Sequence, residues 1–388
     1  MNLRNLHLSD TVNSIAVFAV SALVGGLGWS GNSALHFLVL LYPFVYIQSR
    51  RRIDTISAAF YYAASTWPII PGAQSFFATG HHLAKPIAIW IAIAALGSLP
   101  WIVFYHRRFL PLSAIASLAA LALPPLSLLT VAHPLIATGL WFPGTRWFVL
   151  VLPLVLLTVH RRMGAPLAFA VLILASLAVH ARFSRPATDP HIVAVNTHFS
   201  SELGAGTQEA ERKLQQIALA HPNTLLIFPE SVIPDWSASH DARWASTFAQ
   251  LNTQRTGVLI GTTIPIPNTE ASRNVMLARG YSEHLSYVQR VPIPLGMWQI
   301  GESQRGFPLS LRFPAAIRVW NRRAGVLLCY EQMTFWPAVE TMARGPEMLI
   351  APSNLYWARN TSIPAIQHLA TQDWADLWAI PLYEARNL

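Results

Sequence analysis

The chain is poor in sulfur and lysine and, for its first half, in acids. Cys329 is the single cysteine in 388 residues, so no internal disulfide can form. A lone thiol is either an inert buried group or a reactive one. Lysine occurs only at Lys85 and Lys213, so the net charge of +9 rests almost wholly on arginine. Up to Ala181 the only acids are Asp10 and Asp54; the other 16 of the 18 lie beyond it. Charged residues make up 12% and hydrophobic ones 53%, which is too apolar for an ordinary water-soluble globule. There is no P-loop, HExxH or GxSxG, so P-loop nucleotide, zinc-protease and α/β-hydrolase readings have no support.

What is present divides near Arg182. Before it, apolar stretches recur at about the 17 to 25 residues that a bilayer requires. They fall near 12–30, 33–49, 57–77, 86–105, 111–131, 147–160 and 165–181. Such recurrence argues against a signal peptide. Arg4, Arg50–Arg52, His106–Arg108 and His160–Arg162 share one face if seven spans alternate, and positive charge marks the cytoplasmic face. The expectation is a multi-pass membrane domain over 1–181 with its N-terminus in the cytoplasm. A soluble domain over 182–388 then lies in the periplasm, against the bacterial inner membrane. The basic clusters read as topology determinants, so no nucleic-acid partner is expected. His81 and His82 form a possible metal pair without a third ligand, and no metal or cofactor is expected.

From Asp189 short β-type runs alternate with amphipathic helical ones, as in layered α/β folds. Strands are predicted at 191–196, 225–228, 257–261, 274–278, 326–329 and 348–351. Helices are predicted at 207–220, with Thr207 as N-cap, at 241–253 and at 364–378. Two of the strands end in reactive side chains. Thr224–Phe228 runs into Pro229 and Glu230, and Ala324–Leu328 into Cys329, Tyr330 and Glu331. A carboxylate beside an apolar strand is partly desolvated, which raises its pKa toward that of a general base for a thiol. The plainer reading of Glu230 is a loop or helix-start carboxylate.

In this order the residues resemble the carbon–nitrogen hydrolase (nitrilase) superfamily. With the preceding apolar spans, the layout resembles apolipoprotein N-acyltransferase, and most of all the conjugal-transfer TraB branch. Phe228–Ser231 is similar to the segment carrying the family's general base, and Leu328–Glu331 to its nucleophile segment. Tyr287–Gly296 resembles the segment that normally carries a catalytic lysine. Asn354–Trp357 and Gln367–His368 resemble two further family stretches.

The resemblance implies an N-terminal helical membrane domain and a C-terminal α-β-β-α sandwich. It implies a Glu–Lys–Cys triad in which Glu230 accepts the thiol proton and Cys329 forms a thioester. It also implies a membrane phospholipid as acyl donor and a lipoprotein or conjugation-apparatus protein as acceptor. The lysine itself is missing. Gln289 occupies its position in an ungapped alignment, and Arg290 follows as an alternative cation. Arg290 has a second reading, as a structural partner of Glu331. Tyr330 and Glu331 either support the reacting oxygen or belong to a buried ion pair. Trp298, Tyr356 and Trp357 either line an acyl pocket or pack. An amide hydrolase and a catalytically silent component of a conjugation or secretion assembly remain as rival functions.

Overall fold

A computed structural model describes residues 3–147, 155, 164–199, 207–281, 286–299, 301–302 and 304–388. The sixth apolar stretch, apart from Trp147 and Val155, and the cluster His160–Arg162 lie outside the described residues. The chain forms two compact units. One comprises 1–185, 333–336 and 360–379, and the other 186–332, 337–359 and 380–388. Two late segments thus join the first unit, which the sequence division at 181/182 assigns to the other half.

In the first unit, two helices among the described residues are long and apolar enough to cross a membrane. They are Thr11–Gly28, within the helix Leu3–Gly28, and Ala84–Val103. Only 33% of each apolar window is buried, where a core helix would be mostly covered. The third and fifth stretches fold as broken helices: Ser57–Thr66 with Ile69–Phe76, and Leu110–Ala122 with Leu126–Leu129. Pro68 separates the first pair, and Pro124 and Pro125 the second. Proline lacks the N–H that a continuing helix needs and restricts the residue before it. The second stretch is a 3₁₀ turn, His36–Leu41, leading into the short helix Tyr42–Tyr46.

The helix Ile363–Trp378 belongs to this unit for identifiable reasons. Its buried Asp373 pairs with His36 at 3.0 Å, and its Asp376 takes a fork from Arg185 at 2.9 and 2.7 Å. Gly139 permits the close approach, because a Cβ there would lie 1.7 Å from the Asp373 carbonyl oxygen.

The second unit is built on two sheets. In the first, β1 (Ile192–Ala194), β2 (Leu225–Ile227), β3 (Gly257–Pro265), β4 (Glu270–Gly280) and β5 (Tyr287–Val288) lie in chain order. The β1–β2–β3 pairs are parallel, the next two pairs are antiparallel, and β6 (Arg305–Gly306) adds to β4. The second sheet runs β10 (Leu382–Asn387), β9 (Met348–Asn354), β8 (Arg322–Val326) and β7 (Ala316–Val319). Its first two pairs are parallel and the last is a hairpin.

The two-residue alternation of strands sorts side chains into layers. Leu225, Ile227, Leu259 and Met276 pack with Val326, Ile350 and Tyr383, so a shared core lies between the two sheets. On the other face of the first sheet, Leu226, Phe228, Val258 and Ile260 pack with Leu214, Trp244 and Leu251. Those last three come from the helices Gln208–Leu219 and Ala238–Thr253. The first of these starts at Thr207, whose hydroxyl accepts the Ala210 N–H at 3.1 Å as an N-cap.

Candidate functional site

Each reactive side chain sits just past a strand end or at an inner strand position of the second unit. β2 ends at Ile227, and the chain turns through Pro229 to Glu230. That turn presses on β3 at Gly261, where a Cβ would lie 2.1 Å from the Pro229 carbonyl oxygen. Gly261 is therefore required by space, and the contact fixes where Glu230 projects. Cys329 differs from the sequence reading. β8 ends at Val326, and the thiol opens a 3₁₀ turn, Cys329–Met333, instead of ending a strand. Its φ of 51° lies in the left-handed region, where a side chain costs roughly 1–2 kcal/mol. The turn aims the thiol back across the sheets.

The two groups meet. The Cys329 thiol donates a hydrogen bond to the Glu230 carboxylate, and both residues are buried. The backbone N–H groups of Asn354 and Tyr330 also face the sulfur. Glu230 accepts from Asn274 Nδ2 at 2.6 Å through Oε1 and from the Asn354 N–H at 2.9 Å through Oε2. Asn274 Nδ2 also donates to Gln289 Oε1 at 2.9 Å, and Gln289 Nε2 donates to the Leu328 carbonyl at 3.1 Å. Two acceptors flank Asn274 Nδ2, which fixes the orientation of that amide. Its Oδ1 is buried without a hydrogen-bond partner in the structure.

Burial raises the pKa of Glu230, partly offset by its hydrogen bonds from Cys329, Asn354 and Asn274. Burial, then the charge and hydrogen bond of Glu230, push the Cys329 thiol well up. Two buried anions side by side are disfavoured, so the pair holds one proton between them.

Arg290 does not join this network. Its guanidinium donates to the Tyr287 hydroxyl at 3.0 Å, Glu340 at 2.8 Å, the Pro337 carbonyl at 3.2 Å and Thr341 at 2.8 Å. It also lies 3.6 Å from Glu331, both side chains being fully buried, which is the structural pairing weighed above. Glu331 in turn accepts the backbone N–H groups of Arg290, Val291 and Leu328 at 2.7, 3.1 and 2.9 Å, and the Tyr287 hydroxyl at 2.6 Å. It clamps the segment after β5 to the segment before the thiol. Gln289, not Arg290, occupies the place beside Glu230.

The supporting residues fall into two groups. Asn354 ends β9 and reaches Glu230 through its backbone, while its Oδ1 accepts from Asn387 at 3.0 Å. Trp357 donates to the Asn354 carbonyl at 3.0 Å, and the Tyr356 ring carries the Arg359 guanidinium at 3.7 Å. Trp298 lies in the short turn opposite Leu295. Gln367 and His368 fall in the helix Ile363–Trp378 of the first unit. Sequence reading missed Asn274, which it treated as an ordinary strand residue. The signal available was a lone amide within an apolar strand. Among the described residues no group of three or more His, Cys, Asp or Glu side chains forms a metal site.

No family model matches the chain. Two relatives match over nearly all of it. A probable conjugal transfer protein TraB of Sinorhizobium fredii is 28% identical over 411 aligned positions, covering 99% of this chain and 100% of the relative. The conjugal transfer protein TraB of Agrobacterium fabrum is 27% identical, covering 95% and 91%. Among solved structures, a cysteine-to-alanine mutant of a Nesterenkonia amidase of the nitrilase superfamily matches 53% of this chain and 79% of its own at 16% identity, with a TM-score of 0.36. A second mutant of that amidase, with acrylamide added at its active-site cysteine, matches 50% and 78% at 14% identity, with a TM-score of 0.34. Over its full length the chain is a distant homologue of the conjugal transfer protein TraB.

Proposed function

We propose that the chain is a membrane-bound acyltransferase that works through a Cys329 thioester and serves conjugal transfer. The observation carrying this reading is the buried hydrogen bond between the Cys329 thiol and the Glu230 carboxylate. A general base in contact with a thiol is the minimal equipment for covalent acyl transfer. In the first step the sulfur attacks an ester carbonyl carbon and its proton passes to Glu230. The C–O bond then breaks, and the leaving alcohol takes that proton. In the second step an amine attacks the thioester and gives a proton to Glu230. The C–S bond breaks, the amide leaves, and the proton returns to sulfur. The backbone N–H groups of Asn354 and Tyr330 are donors toward the charge that develops there.

The two apolar helices, mostly uncovered, support a membrane setting in which a phospholipid is the donor. The finer reading is an inner-membrane protein of about seven spans. Its second unit is then a periplasmic α-β-β-α domain of the nitrilase type. The conjugation role rests on the names of the two relatives, and it makes a transfer-apparatus protein or a lipoprotein the acceptor.

A second reading is a catalytically silent membrane component of the conjugation machinery. One observation favours it: Gln289, a neutral amide, stands beside Glu230 where the nitrilase pattern has lysine, and Arg290 is engaged elsewhere. One experiment separates the two. The full chain is reconstituted with a fluorescent-acyl phospholipid and an amine acceptor, and acyl transfer is followed. The enzymatic reading expects transfer that falls at least about 100-fold in Cys329→Ser and in Glu230→Ala. Transfer absent from the wild type and gained in Gln289→Lys supports the silent reading and contradicts the enzymatic one.

A further inference from the structure

Beside the Glu230 network the second unit contains a cavity of about 240 Å³. Val288, Phe307, Leu309 and Phe313 give it apolar walls. Asn274, which donates to Glu230, and Gln289, which accepts from Asn274, also line it, so it abuts the proposed chemistry through two amides. Arg273 lines it too, and is exposed, with its guanidinium carbon 5.6 Å from the centre of the Phe313 ring. No carboxylate among the described residues lies within ion-pair distance of Arg273. An apolar chamber next to a cation with no acidic partner has the chemistry of a site for an amphiphilic anion.

We propose that this cavity binds a small apolar carboxylate, its hydrocarbon part between Phe307 and Phe313 and its charge on Arg273. Size and charge select this class. A volume of about 240 Å³ suits a short hydrocarbon part, on the order of one aromatic ring with a few methylenes. A single guanidinium matches one monovalent carboxylate as a planar two-point partner. In the acyl-transfer reading, on which only the role rests, the occupant is part of the acceptor: an apolar residue with a nearby carboxylate. The binding itself needs no turnover, so a silent site and an empty cavity are separately visible.

The test is calorimetric titration of the full chain in detergent with 4-phenylbutyrate and, in parallel, with its uncharged amide. The site predicts saturable binding of the carboxylate and at least about tenfold weaker binding of the amide. It predicts a similar loss for the carboxylate in Arg273→Gln. Ser310→Phe, which fills the cavity from its wall, removes binding of both. Arg273 is exposed, so Arg273→Gln stays informative even if the filled variant fails to fold. No carboxylate binding to the folded wild type overturns the proposal. So does carboxylate binding that Arg273→Gln leaves unchanged.

Discussion

At the residue scale, the chemistry rests on two acids that burial weakens, and Glu230 weakens the Cys329 thiol further. Glu230 and Cys329 are buried in contact, and each holds its proton more tightly than in water. Raising the pH therefore removes folding stability. The carboxyl's share goes as the pH climbs from its unfolded value to its raised folded one, and the thiol's share follows at alkaline pH. The same shift governs reactivity, because only the thiolate alkylates. In the wild type, the rate of iodoacetamide labelling of Cys329 is expected to stay low at neutral pH and rise only at a more alkaline pH than for a free thiol. In Glu230→Gln a neighbouring charge is gone, so the labelling profile moves to lower pH while acyl transfer is lost. Stopped-time alkylation followed by mass spectrometry gives both profiles. A profile identical in the two proteins would mean the carboxylate does not act on the thiol. Arginine cannot stand in for the missing lysine, since Arg290 spends its donors on Tyr287, Pro337, Glu340 and Thr341.

At the element scale, the site is assembled by turns after strands, and the register of β2 on β3 carries much of it. Ile227 pairs with Leu259, and two residues further along β3 Gly261 receives the Pro229–Glu230 turn. Gly261→Ala forces backbone apart at a 2.1 Å contact. It is expected to destabilise the second unit by about 1–3 kcal/mol and to cut acyl transfer more than stability alone explains. Thermal melts and transfer rates measured on the same preparation check this; unchanged transfer would show that the turn need not be held.

The strands leading to Glu230 and Cys329 were legible in the sequence because they are continuous apolar runs closing on polar residues. The strand lengths were not: β4 extends to Glu270 and β8 begins at Arg322, where solvent-facing polar residues hide the pattern. β10 and the helix Phe335–Ala343 were also missed. Nor could periodicity show Cys329 at a positive φ, or separate Gln289 from Arg290. Adjacent residues near a strand end point apart, and only coordinates tell which one faces the carboxylate.

At the scale of the whole molecule, two units share one chain by exchanging segments. Met333, four residues beyond the thiol, already belongs to the first unit. The helix Ile363–Trp378 returns there, held by His36–Asp373 and Arg185–Asp376. The seven-span reading anticipated the helical character of residues 3–147. It counted the Pro-rich stretch after Leu110 as a span with soft limits and 57–77 as a full one, whereas both break at proline and two helices of spanning length stand among those described. Hydropathy counts apolar residues and is blind to a lost backbone N–H.

The most direct test is intact-mass analysis of the full chain after incubation in vesicles of phospholipids of defined acyl length. The account predicts a mass increase of one acyl group, discharged by hydroxylamine, mapping to Cys329, and absent from Cys329→Ser and Glu230→Gln. An unmodified wild type, or an adduct that forms equally in Glu230→Gln, would contradict it.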